Sequence, residues 1–124
     1  MNMVLDSREI KLRFDMNAYE MIEDRFGSYE AMQEKLKSDK ESLATIFDLA
    51  AILHKAAADY EDVIPQYSEK KLRSMAQMKD MKYISQCVHD ALMDGFLMDT
   101  RDRANDKPRD LVLEELESKK KADD

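Results

Sequence analysis

The segment from Arg8 to Ser28 changes its hydrophobic period in mid-course, and this change constrains the fold more than any other feature of the chain. Up to Phe14, apolar residues alternate with cations, which is the two-residue period of a strand with one buried face. From Ala18 to Phe26, apolar residues recur at four-residue spacing, which is typical of a helix. The segment therefore predicts a strand that leads directly into a helix.

Residues at both ends of this helix indicate where it begins and ends. Asn17 has a side chain that can accept a hydrogen bond from a backbone N–H of the first turn, so the sequence predicts it as the N-cap. Gly27 can adopt the left-handed conformation that commonly ends a helix. We therefore expect a helix bounded by these two residues.

A β-hairpin is predicted at the N-terminus. Val4 and Leu5 are followed by Asp6 and Ser7, which favour a turn, and then by the alternating strand. A two-stranded hairpin is not stable alone in water. Its apolar face therefore has to be covered by the helices that follow.

Further helical patterns follow the first helix. They predict a helix over 29–37 with Ser28 as its N-cap, and a longer helix over 41–60. Ser68 can cap another helix, and a last helix, which could be continuous with it, is expected to end near Gly95. The helix at 41–60 is apolar over most of its circumference, so we expect it at the centre of the core. Its predicted inner residues are Leu43, Ile46, Phe47, Leu49, Ala50, Ile52, Leu53, Ala56 and Ala57.

The composition of the chain favours one small helical domain. Among 124 residues only two are glycine and two are proline, which leaves little material for a β fold with many turns. We predict a mainly α fold, a compact bundle of four to five helices with a small N-terminal β-hairpin, over residues 1–98. Residues 99–124 contain nine acidic and seven basic side chains and are predicted to form a charged, mobile tail. A short helix at 110–121, with Asp110 as N-cap, is expected within it.

The charge and the apolar runs of the chain limit its partners and its location. A net charge of -7 repels phosphate backbones, and the basic runs have acidic neighbours, so we expect no nucleic-acid partner. No apolar run has the length that crosses a bilayer, and the N-terminus lacks the apolar centre of a signal peptide, so we expect no membrane partner. The single cysteine, Cys87, cannot form an internal disulfide. These features together predict a cytoplasmic protein.

The sequence contains no motif that indicates catalysis. Gly27 and Gly95 are the only glycines and are too far apart for a phosphate-binding loop, and HExxH, CxxC and nucleophile-elbow patterns are absent. Cys87 and His89 would point in different directions on a helix, so a zinc site would need carboxylates in addition to His54. We therefore predict no enzyme activity, no cofactor and no metal, with Cys87 as a buried thiol and His89 as a surface imidazole.

Two apolar groups are candidates for binding another polypeptide. Leu12 and Phe14 belong to a hairpin whose exposed strand edge can accept a further strand. The alternative is ordinary packing, because Lys11 and Arg13 are charges of the kind that protect such edges. The second group lies at helical spacing in the charged tail, where it either folds on a partner or docks on the chain's own body. Its members are Leu111, Val112, Leu113 and Leu116.

The residues from Leu12 to Gly27, LRFDMNAYEMIEDRFG, carry a resemblance to a known family. A short N-terminal hairpin that leads into this helix, followed by a compact helical body, resembles the small tail assembly chaperones of long-tailed bacteriophages, especially phages of Gram-positive hosts. The resemblance implies a non-enzymatic protein that binds the tape measure protein and recruits major tail tube subunits while the tube polymerises. It also implies a location in the host cytoplasm and absence from the mature virion.

The sequence leaves two questions open, one about the role of Lys119 to Lys121 and one about the function of the whole chain. Proteins of this family are commonly made in a short and a long form by a programmed ribosomal frameshift, and the codons of Lys119 to Lys121 could compose the A-rich slippery heptamer that such a shift requires. The other interpretation of these lysines is a solvated basic helix terminus. The alternative for the whole chain is an acidic helical adaptor or regulatory protein that binds a single cellular partner.

Overall fold

The computed structural model describes the backbone of residues 2–104 and the side chains of residues 2–96. The described residues are mainly helical, at 68%, and contain five α-helices and a two-stranded N-terminal hairpin. This confirms the predicted fold class. The predicted helix at 110–121 lies outside the described residues.

The hairpin pairs β1 (Asn2–Leu5) with β2 (Arg8–Lys11) in antiparallel register, and Leu5 opposite Arg8 closes the turn. The two turn residues are Asp6 and Ser7, as predicted, and their φ angles of 51° and 60° are both left-handed. Two left-handed residues match the twist of a two-residue hairpin loop, and short polar side chains tolerate this conformation better than bulky ones. The apolar face is buried at Met3, Leu5, Ile10 and, just after β2, Leu12.

The five helices follow the hairpin in sequence. They are α1 (Met16–Phe26), α2 (Tyr29–Lys37), α3 (Ser42–Tyr60), α4 (Glu69–Met75) and α5 (Met81–Ala104). A single 3-10 turn over Met78–Asp80 precedes α5. The backbone is extended at Ala76 and Gln77, and the Gln77 N–H donates to the Asp80 carboxylate at 2.9 Å. This turn separates α4 from α5, so the two are not one continuous helix.

The serine caps are confirmed, whereas the predicted cap of α1 is wrong. Ser28 and Ser68 accept backbone N–H groups from the first turns of α2 and α4. The N-cap of α1 is Asp15, whose carboxylate accepts from the Ala18 N–H at 2.9 Å, and not Asn17. Asp and Asn are about equally good caps, so the sequence alone does not decide between them. Asn17 lies inside the first turn, where its Nδ2 donates to Asp59 of α3 at 2.9 Å.

Helix α3 lies at the centre of the molecule, as predicted. It packs against β2 and against each of the other four helices. Leu49, Ala50, Leu53 and Ala56 are fully buried, and the small alanines let the neighbouring helices approach closely.

The predicted burial of Leu43 is wrong, since this side chain is 46% exposed. It lies in the first turn of α3, where Thr45 is buried instead and its hydroxyl donates to the Glu41 carbonyl at 2.8 Å. The apolar period gives the faces of the helix, but the position of its neighbours decides which face is covered at its end.

The last helix continues past the residue where the sequence predicts its end. Its inner side is buried at Ile84, Val88, Ala91 and Leu92 as expected, but α5 runs through Gly95 to Ala104. The predicted domain boundary after residue 98 therefore falls within α5. An ideal Cβ at Gly95 would lie 2.4 Å from the Phe14 carbonyl oxygen, so this glycine permits a close helix contact and does not end the helix. Within residues 2–104, no helix has the length and apolar character needed to cross a membrane.

Candidate partner-binding surface

Four aromatic side chains from four different parts of the fold meet at the surface. They are Phe14 after β2, Tyr19 of α1, Tyr29 of α2 and Phe96 of α5, and we call them the aromatic cluster. All four are partly exposed. The Phe14 ring centroid lies 5.2 Å from that of Phe96, 6.0 Å from Tyr29 and 6.4 Å from Tyr19. The Tyr29 ring centroid lies 5.8 Å from that of Tyr19 and 5.8 Å from that of Phe96. Tyr29 stacks on Tyr19 and meets Phe96 edge to face.

Local sequence signals place the two tyrosines of the cluster. Asp15 begins α1 directly after Phe14 and so fixes the direction in which the helix carries Tyr19. Gly27, at a φ of 94°, ends α1 and lets Ser28 begin α2 at once, which puts Tyr29 in its first turn. The rings lie at distances where edge-to-face and offset stacking are favourable, so the cluster is a packed unit and not four independent side chains.

The face of the cluster formed by α1 and α2 has an acidic border. Glu23 follows Tyr19 by four residues on α1 and therefore lies on the same side of the helix, and Glu30 follows Tyr29 directly; both are exposed. Partial burial raises the pKa of the Tyr19 hydroxyl, and the negative charges of Glu23 and Glu30 raise it further. Burial also raises the pKa of Tyr29, with smaller contributions from Tyr19 and Glu30 and an opposing one from its hydrogen bond with Gln33.

The structure separates the two predicted binding residues of the hairpin. Leu12 is 2% exposed and belongs to the hydrophobic core, whereas Phe14 packs on the core and remains partly exposed in the aromatic cluster. The four predicted residues of the tail lie outside the described part of the chain; they are Leu111, Val112, Leu113 and Leu116. The sequence does not indicate Tyr19, Tyr29 or Phe96 as site residues, because no local pattern shows that four separate elements converge.

The edges of the hairpin have partners within the chain. On β1, the Val4 N–H donates to the Tyr83 hydroxyl of α5 at 2.9 Å. At the end of β2, the Lys11 carbonyl lies 3.0 Å from Nδ1 of His54, and two residues later the Arg13 N–H donates to the Leu53 carbonyl at 3.0 Å. A strand added at these positions would have to displace contacts with α3 or α5.

The cation that ends β2, Lys11, and the cation that follows the strand, Arg13, both contact the end of α3. Lys11 Nζ lies 2.8 Å from a Glu61 carboxylate oxygen, and the hydrogen bond with Glu61, together with its charge, raises the pKa of Lys11. The Arg13 guanidinium lies 3.7 Å from the centroid of the Tyr60 ring and also pairs with Asp15 at 2.9 Å. These contacts hold the junction between β2 and α1 against α3, and so fix the backbone on both sides of Phe14.

The residues considered for metal binding occupy separate places. Cys87 is buried, His89 is exposed and His54 is 7% exposed, as the sequence predicts for the first two. Because the Lys11 carbonyl can only accept, His54 donates from Nδ1 and accepts the Tyr67 N–H at Nε2, at 3.4 Å. His54 therefore joins β2 to the loop before α4. In the described part of the chain, no three His, Cys, Asp or Glu side chains converge as a metal site requires.

Comparison of the chain with protein-family models, with curated protein sequences and with solved structures finds no match.

Proposed function

We propose that this chain is a non-enzymatic assembly chaperone of a long bacteriophage tail. In this proposal it binds the tape measure protein and recruits major tail tube subunits while the tube polymerises. It acts in the cytoplasm of the host cell and is not part of the mature virion. The support from sequence is the resemblance of the strand-to-helix segment, Leu12 to Gly27.

The observation that carries the proposal is the partly exposed aromatic cluster. Aromatic side chains offer a large contact area at a small cost in side-chain entropy, and they are enriched where proteins bind proteins. Here their backbone is fixed by the Asp15 and Ser28 caps and by the close approach of α5 at Gly95. A surface that is ordered before binding loses less entropy on binding. The net charge of -7 also favours solubility while an apolar client is held.

Co-purification tests the proposal directly. The full-length chain, carrying an affinity tag, is co-expressed with the tape measure and tail tube proteins encoded beside its gene, and each should be recovered with it. Tyr19→Ala should reduce recovery of the tape measure protein, whereas Ile64→Ala, which changes an exposed apolar side chain outside the cluster, should not. Recovery of neither protein with the unmodified chain would count against the proposal.

The second candidate is an acidic adaptor or regulatory protein with a single cellular partner, and the charge of -7 with a pI of about 4.9 favours it. Gene order separates the two. A position between the genes for a major tail protein and a very long tape measure protein supports the chaperone, whereas a position beside a regulator supports the adaptor. The frameshift proposal requires lysine codons at Lys119 to Lys121 that compose a slippery heptamer, together with an overlapping downstream frame.

A further inference from the structure

We infer that the aromatic cluster binds an amphipathic helix whose apolar face is bordered by lysine or arginine side chains. The inference rests on the proposed function only in taking the cluster as the surface that binds a client. It adds the secondary structure and the charge of the segment that the cluster recognises.

The geometry of the rings favours a helix as the occupant. Tyr19 and Tyr29 belong to adjacent helices, are both partly exposed and stack with a centroid separation of 5.8 Å, so together they form one aromatic area across α1 and α2. Phe14 and Phe96 extend this area towards α5. Apolar side chains three and four residues apart on one face of a helix can contact such an area together. A further strand is a poorer occupant, because the nearby hairpin edges already contact α3 and α5.

The charges beside the rings favour a basic segment. Glu23 and Glu30 are exposed, and both lie close enough to Tyr19 to raise the pKa of its hydroxyl. The structure gives neither carboxylate an ion pair with a described cation. Lysine or arginine at the border of a bound helix would place opposite charges next to these carboxylates and so increase the rate and specificity of association.

Two other occupants are disfavoured by the same charges. A second copy of this chain also has a net charge of -7. The chain's own apolar segment contains Glu114 and Glu115 among its leucines, although Lys119 to Lys121 follow it. Either occupant would bring carboxylates towards Glu23 and Glu30, and like charges across an interface oppose binding.

Two synthetic helical peptides test the inference on the full-length chain. Both carry the same leucine face and one tryptophan, and their polar face is lysine in one and glutamate in the other. Because the chain has no tryptophan, the emission of this residue reports on the peptide alone. We expect the lysine peptide to bind at least tenfold more tightly than the glutamate peptide, and Tyr19→Ala to weaken its binding by a similar factor.

A charge-matched control separates the border from the net charge. Replacing both Glu23 and Glu30 by glutamine should weaken binding of the lysine peptide about fivefold or more. The double variant Asp6→Asn with Asp39→Asn removes the same net charge from exposed positions at the hairpin turn and beyond the end of α2. It should leave binding within about twofold of the unmodified chain.

Several results would overturn the inference. These are equal binding of both peptides, no binding of the lysine peptide, and equal loss in the two double variants. Stronger peptide binding after the double substitution Leu111→Ser with Leu116→Ser would show that the chain's own apolar segment occupies the cluster. Peptide binding that weakens as the chain self-associates would show that a second copy of the chain occupies it. Failure of co-purification while the lysine peptide binds would overturn the proposed chaperone function and leave this inference in place.

Discussion

Replacing Gly95 by alanine tests whether α5 lies as close to Phe14 as the structure shows. An ideal Cβ at Gly95 lies 2.4 Å from the Phe14 carbonyl oxygen, 2.7 Å from its ring Cδ2 and 2.8 Å from its Cβ. Since favourable contacts between heavy atoms begin near roughly 3.5 Å, α5 or the segment around Phe14 must shift by about 1 Å. Insertion of one carbon into a packed contact costs about 1–3 kcal/mol.

The same substitution also stabilises helix α5 itself, and this gain opposes the cost of the contact with Phe14. Alanine inside a helix is more stable than glycine by about 1 kcal/mol, because glycine loses more backbone entropy on folding. The nearest atom is a backbone oxygen, which cannot rotate away, so we expect the contact to cost more than the helix gains. The net result should be a loss of up to about 2 kcal/mol in the free energy of unfolding. Without the contact, the same substitution would stabilise the chain.

Urea unfolding followed by far-ultraviolet circular dichroism measures the sign of this change. Ser85→Ala, at an exposed position of the same helix, is the control and should stabilise the chain by about 0.5 kcal/mol or less. Thermal unfolding should shift in the same sense, by about 4 °C for each kcal/mol. A Gly95→Ala chain at least as stable as the parent would refute the proposed contact between α5 and Phe14.

Three further predictions concern stability. Asp15→Ala should lower the free energy of unfolding by about 0.5–2 kcal/mol, and by more than Asn17→Ala, because only Asp15 caps α1; equal losses in urea unfolding would contradict this assignment. His54→Leu removes the hydrogen bonds to the partly buried Lys11 carbonyl and Tyr67 N–H and should cost about 1–3 kcal/mol, whereas His54→Asn can still donate to β2 and should cost less; calorimetry ranks the two. Because the pKa values of Tyr19 and Tyr29 are raised, the unfolded chain releases these protons first, so stability should fall as the pH rises past about 10. Tyrosinate absorbance, followed as the pH is raised, gives the midpoint of tyrosine ionisation in the native chain and in the chain unfolded by urea. Equal midpoints would contradict this prediction.

Local signals predicted most of the fold. The hairpin turn at Asp6 and Ser7, the caps at Ser28 and Ser68 and the central position of α3 all follow from interactions between residues that are close in sequence. Such interactions depend on the spacing of apolar residues and on the conformations that single side chains favour. They can therefore be recognised without knowledge of the tertiary structure.

The incorrect predictions depend on contacts between distant residues. Asp15 and Asn17 are equivalent as candidate caps, and they differ in the structure because Asn17 contacts Asp59 of α3. Gly95 could equally be a helix end or a position of close approach, and only the contact with Phe14 decides. Leu43 has the correct spacing for the inner face of α3 but is 46% exposed in its first turn.

The aromatic cluster could not be predicted for the same reason. Tyr19 and Tyr29 lie outside or at the start of the apolar stripes of their helices, so the helical period does not single them out. Phe14 was identified because it ends the alternating strand, but its neighbours come from α1, α2 and α5. A surface built from four elements is a property of the packed fold and has no signature in one segment.

The segment that carries the family resemblance contributes to both the core and the surface. Leu12, Ile22 and Phe26 are buried, whereas Phe14 and Tyr19 form part of the aromatic cluster. A continuous strand and helix fix these two faces relative to each other, so a resemblance in this segment is consistent with a shared fold alone. A shared client requires the surface face as well. Variants at Tyr19, which change the cluster and leave the buried residues in place, are therefore the ones that separate client binding from folding.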